Sequence, residues 1–329
     1  MKNKIGSIIV VGLIICAFQN CSKVGFTVAD KSETGLQAVT SIPVTPPAPV
    51  AGPVVCNPFG GSTATPAGGS APASTQGLIA DGVNYVDTTK LASGQTPLSV
   101  VNNSVEGFFD PTNLEVGHFD AKMILSDLNF PNMYFSTGFT DSSGHSLTDA
   151  SGQLLIQYFA FRAKSDFVSG KWAPGDYQIA ILSDDGSQLT MTGGQANGSD
   201  LLINNDGAHS LRMGCTQSVL HISANSQIPL TFDYFQGPPI TIGFLMLYRP
   251  VAVAGTMQEP LCGQGGSGDS YFFLDHTSQN QPISPPLAQA PYLQLVGAFN
   301  ATSGSGGWQV VEAEHFILPG NMQNTCTSP

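Results

Sequence analysis

The chain has 329 residues, of which only 10% are charged, and its 23 Asp and Glu against 11 Lys and Arg give a formal charge of −12. An acidic surface repels phosphate backbones, and there is no Lys/Arg cluster to release counterions, so nucleic acid is excluded as a partner. With 41% hydrophobic residues the chain is long enough to bury a substantial core.

Lys2 and Lys4 precede an uncharged apolar run from Ile5 to Phe18. This is the layout of a secretory signal and is short for a membrane span. Residues 1–20 are therefore expected to be a signal peptide, and losing Lys2 and Lys4 takes the charge from −12 to −14. Cys21, after Phe18-Gln19-Asn20 and before Ser22, resembles the lipidated cysteine of a bacterial lipobox, although Gln19 and Asn20 depart from its usual small residues. Acylation would anchor the chain in a membrane at about 0.8 kcal/mol per buried methylene. That predicts a cell-envelope, outer-membrane lipoprotein, facing the surface or the periplasm. Ordinary signal cleavage would instead leave a secreted protein.

Residues 21–77 are rich in Pro, Gly, Ser, Thr and Ala, with Pro43, Pro46, Pro47, Pro49, Pro53 and Pro58. They read as a low-complexity tether extending at about 3.1 Å per residue. From 78 to 329, short apolar runs are punctuated by Gly, Asn and Asp, at Val105–Phe109, Leu154–Phe161, Tyr177–Leu182, Val219–Ile222, Leu230–Phe235 and Ile240–Tyr248. Further β-like stretches are Tyr271–Leu274, Tyr292–Phe299 and Trp308–Phe316. Such spacing predicts an all-β sandwich or barrel. Thr241 to Tyr248 is apolar almost throughout, which predicts a strand buried on both faces. Four cysteines follow Cys21 in what should be an oxidising compartment, and three pairings are open. Cys215 with Cys262 and Cys56 with Cys326 are favoured, the first closing a loop worth about 4 kcal/mol in the entropic account.

The candidate site is the turn after Tyr177–Leu182, where Asp184 and Asp185 are followed at once by Gly186. Two carboxylates about 5 Å apart repel by roughly 3 kcal/mol at an effective dielectric near 20. A rigid turn holding both needs a cation, hydrogen-bond donors or open water, and Ca²⁺ is the sharpest candidate for the first. Asn204, Asn205 and Asp206 form a polar tip suited to sugar hydroxyls, or alternatively a plain turn. Phe235 or Trp172 would offer an apolar face to a sugar ring, Trp172 having core packing as its other role. His209 reads as a buried hydrogen-bonding residue. No GxSxG, HExxH, GxxxxGK[ST] or GxGxxG motif occurs. Glu312 and Glu314, near His315, alternate as on one strand face and are the remaining acid/base pair. The expectation is a binding protein without catalytic chemistry, with a structural or protein-interaction role and then a hydrolase as rivals.

The succession GDYQIAILSDDGSQL, LLINNDGAH and LHISANSQIPLTFDYFQGPPITIGFLMLYRP resembles the PA14 domain, a β-sandwich module of toxins, glycosidases and microbial adhesins. Gly175, Tyr177, Ser183 to Ser187, Asn205 to His209, Tyr234 and Pro250 carry the likeness, over about Ile156 to Pro250. Ser104 to Asp110 is taken as the opening strand. The resemblance implies binding of a glycan or envelope polysaccharide through Ca²⁺ on Asp184 and Asp185, whose linking peptide would be cis. A third ligand would come from the loop after Tyr234. There Gln236 stands near the family's Asn, its extra methylene shifting the reach, which makes Gln236 both a metal and a ligand-binding candidate.

Overall fold

A computed structural model describes residues 54–59, 75–133, 135–140, 145–149, 151–238, 241–251, 262–263 and 308–326. All of these lie within the unit Val50–Pro329. In chain order the strands are β1 (Val54–Cys56), β2 (Leu78–Ala80), β3 (Val83–Val86), β4 (Val116–Phe119), β5 (Lys122–Leu125), β6 (Asn129–Met133), β7 (Phe159–Val168) and β8 (Gly175–Asp184). They continue with β9 (Ser187–Met191), β10 (Leu201–Asn205), β11 (Arg212–Cys215), β12 (Leu220–Ile222), β13 (Gln227–Gln236), β14 (Ile242–Pro250), β15 (Gln309–Val310) and β16 (Phe316–Ile317). Two short helices, α1 (Pro97–Val100) and α2 (Val105–Phe109), precede β4.

Among the described residues the strands form two sheets. The larger runs β1-β5-β2-β7-β13-β9-β10, with β3 and β16 on β7 and β4 on β3. The smaller runs β11-β8-β14-β15, with β12 on β8 and β6 on β14. Alternation along each strand sends every second side chain inward. Phe161 and Ala163 of β7 and Phe232 and Tyr234 of β13 meet Ile179 and Ile181 of β8 and Phe244 and Met246 of β14 in one buried core. This is the packing of a β-sandwich. The outer side of the smaller sheet is covered too. Leu245 and Leu247 of β14 and Ala180 and Leu182 of β8 lie under Leu211, Met213 and Trp308. Two buried faces explain why β14 reads as a nearly unbroken apolar run.

Cys56 is joined to Cys326 and Cys215 to Cys262, the pairings favoured from sequence. Several local expectations change. Val54–Cys56 lies in the stretch read as tether, yet it is a strand paired in parallel with β5. Phe59 beyond it is buried among Phe130, Phe135, Phe139, Phe161 and Phe244. The folded region therefore takes in residues before 78. Val105–Phe109 is a helix and not the opening strand. Its apolar Val105 and Phe108 sit three apart, on one helical face against Phe235, and Ser104 caps its first turn. The strand placed at 154 begins at Phe159, after Tyr158 takes a left-handed φ of 51° that breaks the extension. Between β15 and β16 a 3₁₀ turn spans Ala313–His315, so Glu312 and Glu314 do not share a strand face. Residues 1–20, Cys21, Tyr271–Leu274 and Tyr292–Phe299 lie outside the described residues.

Candidate functional site

β8 belongs to the smaller sheet and β9 to the larger, so the chain changes sheets between Asp184 and Ser187. The acid pair is this passage, and the peptide bond between Asp184 and Asp185 is cis. Two contacts leave no room for a side chain at the next residue. A Cβ on Gly186 would lie 2.2 Å from Phe235 Cε1 and 2.9 Å from the Gly207 backbone. Below the turn, Ser183 Oγ and Ser187 Oγ are 2.8 Å apart, and Asn205 Nδ2 donates to Ser183 Oγ at 2.9 Å.

Both carboxylates are buried, Asp184 at 7% and Asp185 at 5% exposure. Thr241 Oγ1 donates to Asp184 Oδ2 at 2.6 Å. Asp185 receives two backbone donors, His209 N–H on Oδ1 at 2.9 Å and Gly237 N–H on Oδ2 at 2.8 Å. No basic side chain among the described residues pairs with Asp185. Burial is accordingly the largest influence on its pKa, which rises from 3.8 to about 6 against the pull of the Gly237 and His209 N–H groups. Tyr234 lies beneath the turn, its hydroxyl against the Asp184 carbonyl oxygen and Gln236 Oε1. Burial first, then the charges of Asp185 and Asp184, hold that phenol protonated, well above its ordinary pKa.

The other sequence candidates separate around this turn. Gln236 is buried with its Oε1 on the Tyr234 hydroxyl and its Nε2 on the Pro238 and Thr241 carbonyls at 3.0 and 2.8 Å. It supports the turn from inside and presents no oxygen outward, which corrects its assignment as a ligand. Phe235 is corrected as well. It points away from the inter-sheet core, fully buried against Phe108 with ring centroids 5.6 Å apart, and shows no face to solvent. Asn205 is 1% exposed and its amide is saturated by Ser183, the Arg212 carbonyl and Arg212 Nε. Asp206 accepts from Ser104 Oγ at 2.6 Å, Val105 N–H at 2.9 Å and Gln188 Nε2 at 3.2 Å, so it ties α2 to the loop over the acid pair. Asn204 is exposed, with Oδ1 accepting from Asp206 N–H.

His209 lies half-buried with Nε2 on the Asn205 carbonyl and Nδ1 on the Ser210 carbonyl, each at 2.9 Å. Burial, the largest influence, lowers its pKa. Sequence reasoning missed Thr241 and Asn103, whose Oδ1 accepts from Ala208 N–H at 2.9 Å. Thr241 reads only as part of the apolar run before Tyr248 and Asn103 lies outside any quoted motif, so only the fold brings them to the turn. Among the described residues no group of three or more His, Cys, Asp or Glu is gathered tightly enough to hold a metal by itself. Asp184 and Asp185 are the only acids at this turn among the described residues, and a cation there would need further oxygens from elsewhere.

Fold and site together define an all-β sandwich with an acidic passage between its sheets. No protein-family model and no curated protein matches the chain. Among solved structures it is similar to an anti-sigma factor domain-containing protein, with 14% identity over 54% of this chain and TM-score 0.32. The chain spans 43% of that protein. It is also similar to the PA14 sugar-binding domain from an RTX adhesin, with 15% identity over 54% of this chain and 92% of that one, TM-score 0.33. A third is the A domain of epithelial adhesin 6 from Candida glabrata, solved in complex with Galβ1-3GlcNAc, with 14% identity over 64% of this chain and 88% of that one, TM-score 0.34. At these TM-scores no property of those proteins passes to this chain.

Proposed function

We propose that the protein is an exported, lipid-anchored envelope protein of PA14 type whose sandwich binds a glycan through Ca²⁺ at the acid passage, without catalysis. The observation that carries this reading is Asp185, a buried carboxylate next to a second one, with two backbone N–H groups and no basic side chain to balance it. A buried charge held only by backbone dipoles is costly and favours a counter-ion or a proton. Asp184 and Asp185 suit the oxygen preference of Ca²⁺, which takes six to eight oxygens and, when bound, supplies open positions that vicinal sugar hydroxyls fill in place of water. The protein's own part is orientation. Thr241 and Tyr234 hold Asp184, the His209 and Gly237 N–H groups hold Asp185, and exposed Asn204 offers a polar contact near the same loop. Export and anchoring rest on Lys2, Lys4, the run Ile5 to Phe18 and Cys21.

Calcium titration followed by melting temperature tests the metal, since a ligand that binds only the folded state raises it. The rise should vanish in the Asp184→Ala, Asp185→Ala double variant. A glycan array with and without chelator tests the ligand, and binding indifferent to both chelator and variant defeats the reading. One observation favours a second reading. Both Asp185 oxygens already accept backbone hydrogen bonds, as they would in a metal-free turn shaping a structural or protein-interaction module.

A further inference from the structure

Both apolar faces named from the sequence are taken. Phe235 is covered by Phe108, and Trp172 stacks on Tyr248 with ring centroids 3.8 Å apart and is flanked by Phe167, Tyr177 and His315. Discrimination between sugars at the acid passage therefore falls to polar groups, and the loop between α1 and α2 brings one there. In it Asn103 N–H donates to the Leu98 carbonyl at 2.8 Å and Ser104 N–H to the Val101 carbonyl at 3.1 Å. Asn102 and Asn103 take left-handed φ values of 54° and 50°, which asparagine accepts more readily than most residues with a side chain. The loop is held from outside as well, by Asp206 on Ser104 and on the Val105 N–H. Asn103 is exposed. Its Oδ1 accepts from Ala208 N–H, one residue before the His209 N–H that donates to Asp185. Its Nδ2 lies 3.7 Å from the place of a Cβ on Gly207 and donates to no protein acceptor among the described residues.

We propose that Asn103 is a specificity-determining residue of the glycan site, its Nδ2 donating to a hydroxyl oxygen of the sugar held at the acid passage. The ligand class rests on the proposed function; the residue comes from a loop outside both sheets. Ala208 N–H can only donate, so the amide oxygen of Asn103 faces it and the NH₂ group is left for a ligand. Successive backbone N–H groups reach Asn103 and Asp185, at 2.9 Å each. With 3.8 Å between successive Cα atoms, the two side-chain oxygens are at most about 10 Å apart, within reach of the outer hydroxyls of a sugar whose ring lies over Asp185. The bond to Ala208 fixes the amide before any ligand arrives, so little side-chain freedom is lost on binding. An uncharged donor fixed in this way reads where a hydroxyl stands, and an epimer whose hydroxyl points elsewhere forfeits the bond.

The test uses the mature full-length protein in calcium, titrated calorimetrically with galactose, mannose and N-acetylglucosamine. At least one should bind the wild type, and the three should differ in affinity. Asn103→Asp suits the left-handed backbone and keeps the acceptor for Ala208 N–H but lacks the donor, whereas Asn103→Gly keeps the backbone and removes the side chain. Each should weaken the best-bound sugar about tenfold, the equivalent of one hydrogen bond, and narrow the differences among the three. The assignment is overturned if none of the sugars binds, or if affinity and ranking survive both variants. It is overturned equally if binding falls in Asn103→Gly but not in Asn103→Asp, because Asn103 is then a prop for Ala208 and not a contact. Calcium-dependent binding indifferent to both variants would leave the proposed function standing without this residue. Binding that persists in EDTA and in the Asp184→Ala, Asp185→Ala variant, yet falls in Asn103→Asp, would defeat the calcium reading and keep Asn103 in the site.

Discussion

Asp185→Ala should alter the pH response of stability as well as its level. In the unfolded chain the carboxyl ionises near 3.8 and in the folded protein near 6. Between those values the folded state holds the proton that the unfolded state has released, so stability falls as pH rises from about 4 to about 6 and is flat above. The full difference is about 3 kcal/mol at neutral pH, of which about 2 kcal/mol develops between pH 4.5 and pH 7. For a domain of this size that is roughly 4–8 °C in melting temperature. The substitution also strands the His209 and Gly237 N–H groups, at about 1–3 kcal/mol each, but that offset does not vary with pH. Asp87 and Asp110, whose pKa values are lowered by bonds to Thr89 and Thr112, are common to both proteins and cancel. Urea unfolding of wild type and variant in EDTA should therefore show a wild-type advantage about 2 kcal/mol larger at pH 4.5 than at pH 7. An advantage equal at the two pH values would refute the claim that burial of Asp185 outweighs the hydrogen bonds it receives. Saturating calcium, by pairing with the ionised form, should flatten the difference.

Gly186→Ala places a methyl 2.2 Å from Phe235 Cε1 and should cost at least about 1–3 kcal/mol in chemical denaturation; a variant as stable as wild type would contradict the close approach. Tyr234→Phe removes the hydroxyl between the Asp184 carbonyl and Gln236 Oε1, and the same measurement should show a loss of about 1–3 kcal/mol from buried acceptors left unpaired. Replacing Cys56 and Cys326 by serine should lower stability by about 2–5 kcal/mol, with Cys215–Cys262 still intact by mass spectrometry of the alkylated protein.

Strands flanked by turn residues were legible because alternation and burial leave a period in the sequence. The stretch Ile242–Tyr248 was legible for the opposite reason, since its two covered faces leave an unbroken apolar run with no alternation. Val105–Phe109 misled because five apolar-rich residues fit either period, and the arbiter, Asp206 bonding the Val105 N–H, lies a hundred residues away. Distance in sequence also hid Thr241 and Asn103 at the acid turn. Asp184 and Asp185 stood out because adjacent acids are conspicuous, whereas Asn205, Phe235 and Gln236 looked available only because chemistry visible in a sequence says nothing about what a neighbour has already claimed.

The covalent tie between Cys56 and Cys326 has a mechanical consequence. Tension arriving along the chain from the N-terminal side enters the sandwich at β1, which among the described strands pairs only with β5. A strand so placed would unzip first under load. Cys326 sits beside Asn324, whose Nδ2 grips the Gln76 carbonyl, so peeling β1 must drag the closing segment with it. Pull is thus shared between β1 and the Asn324–Cys326 segment, which is anchored beside β2 at Gln76.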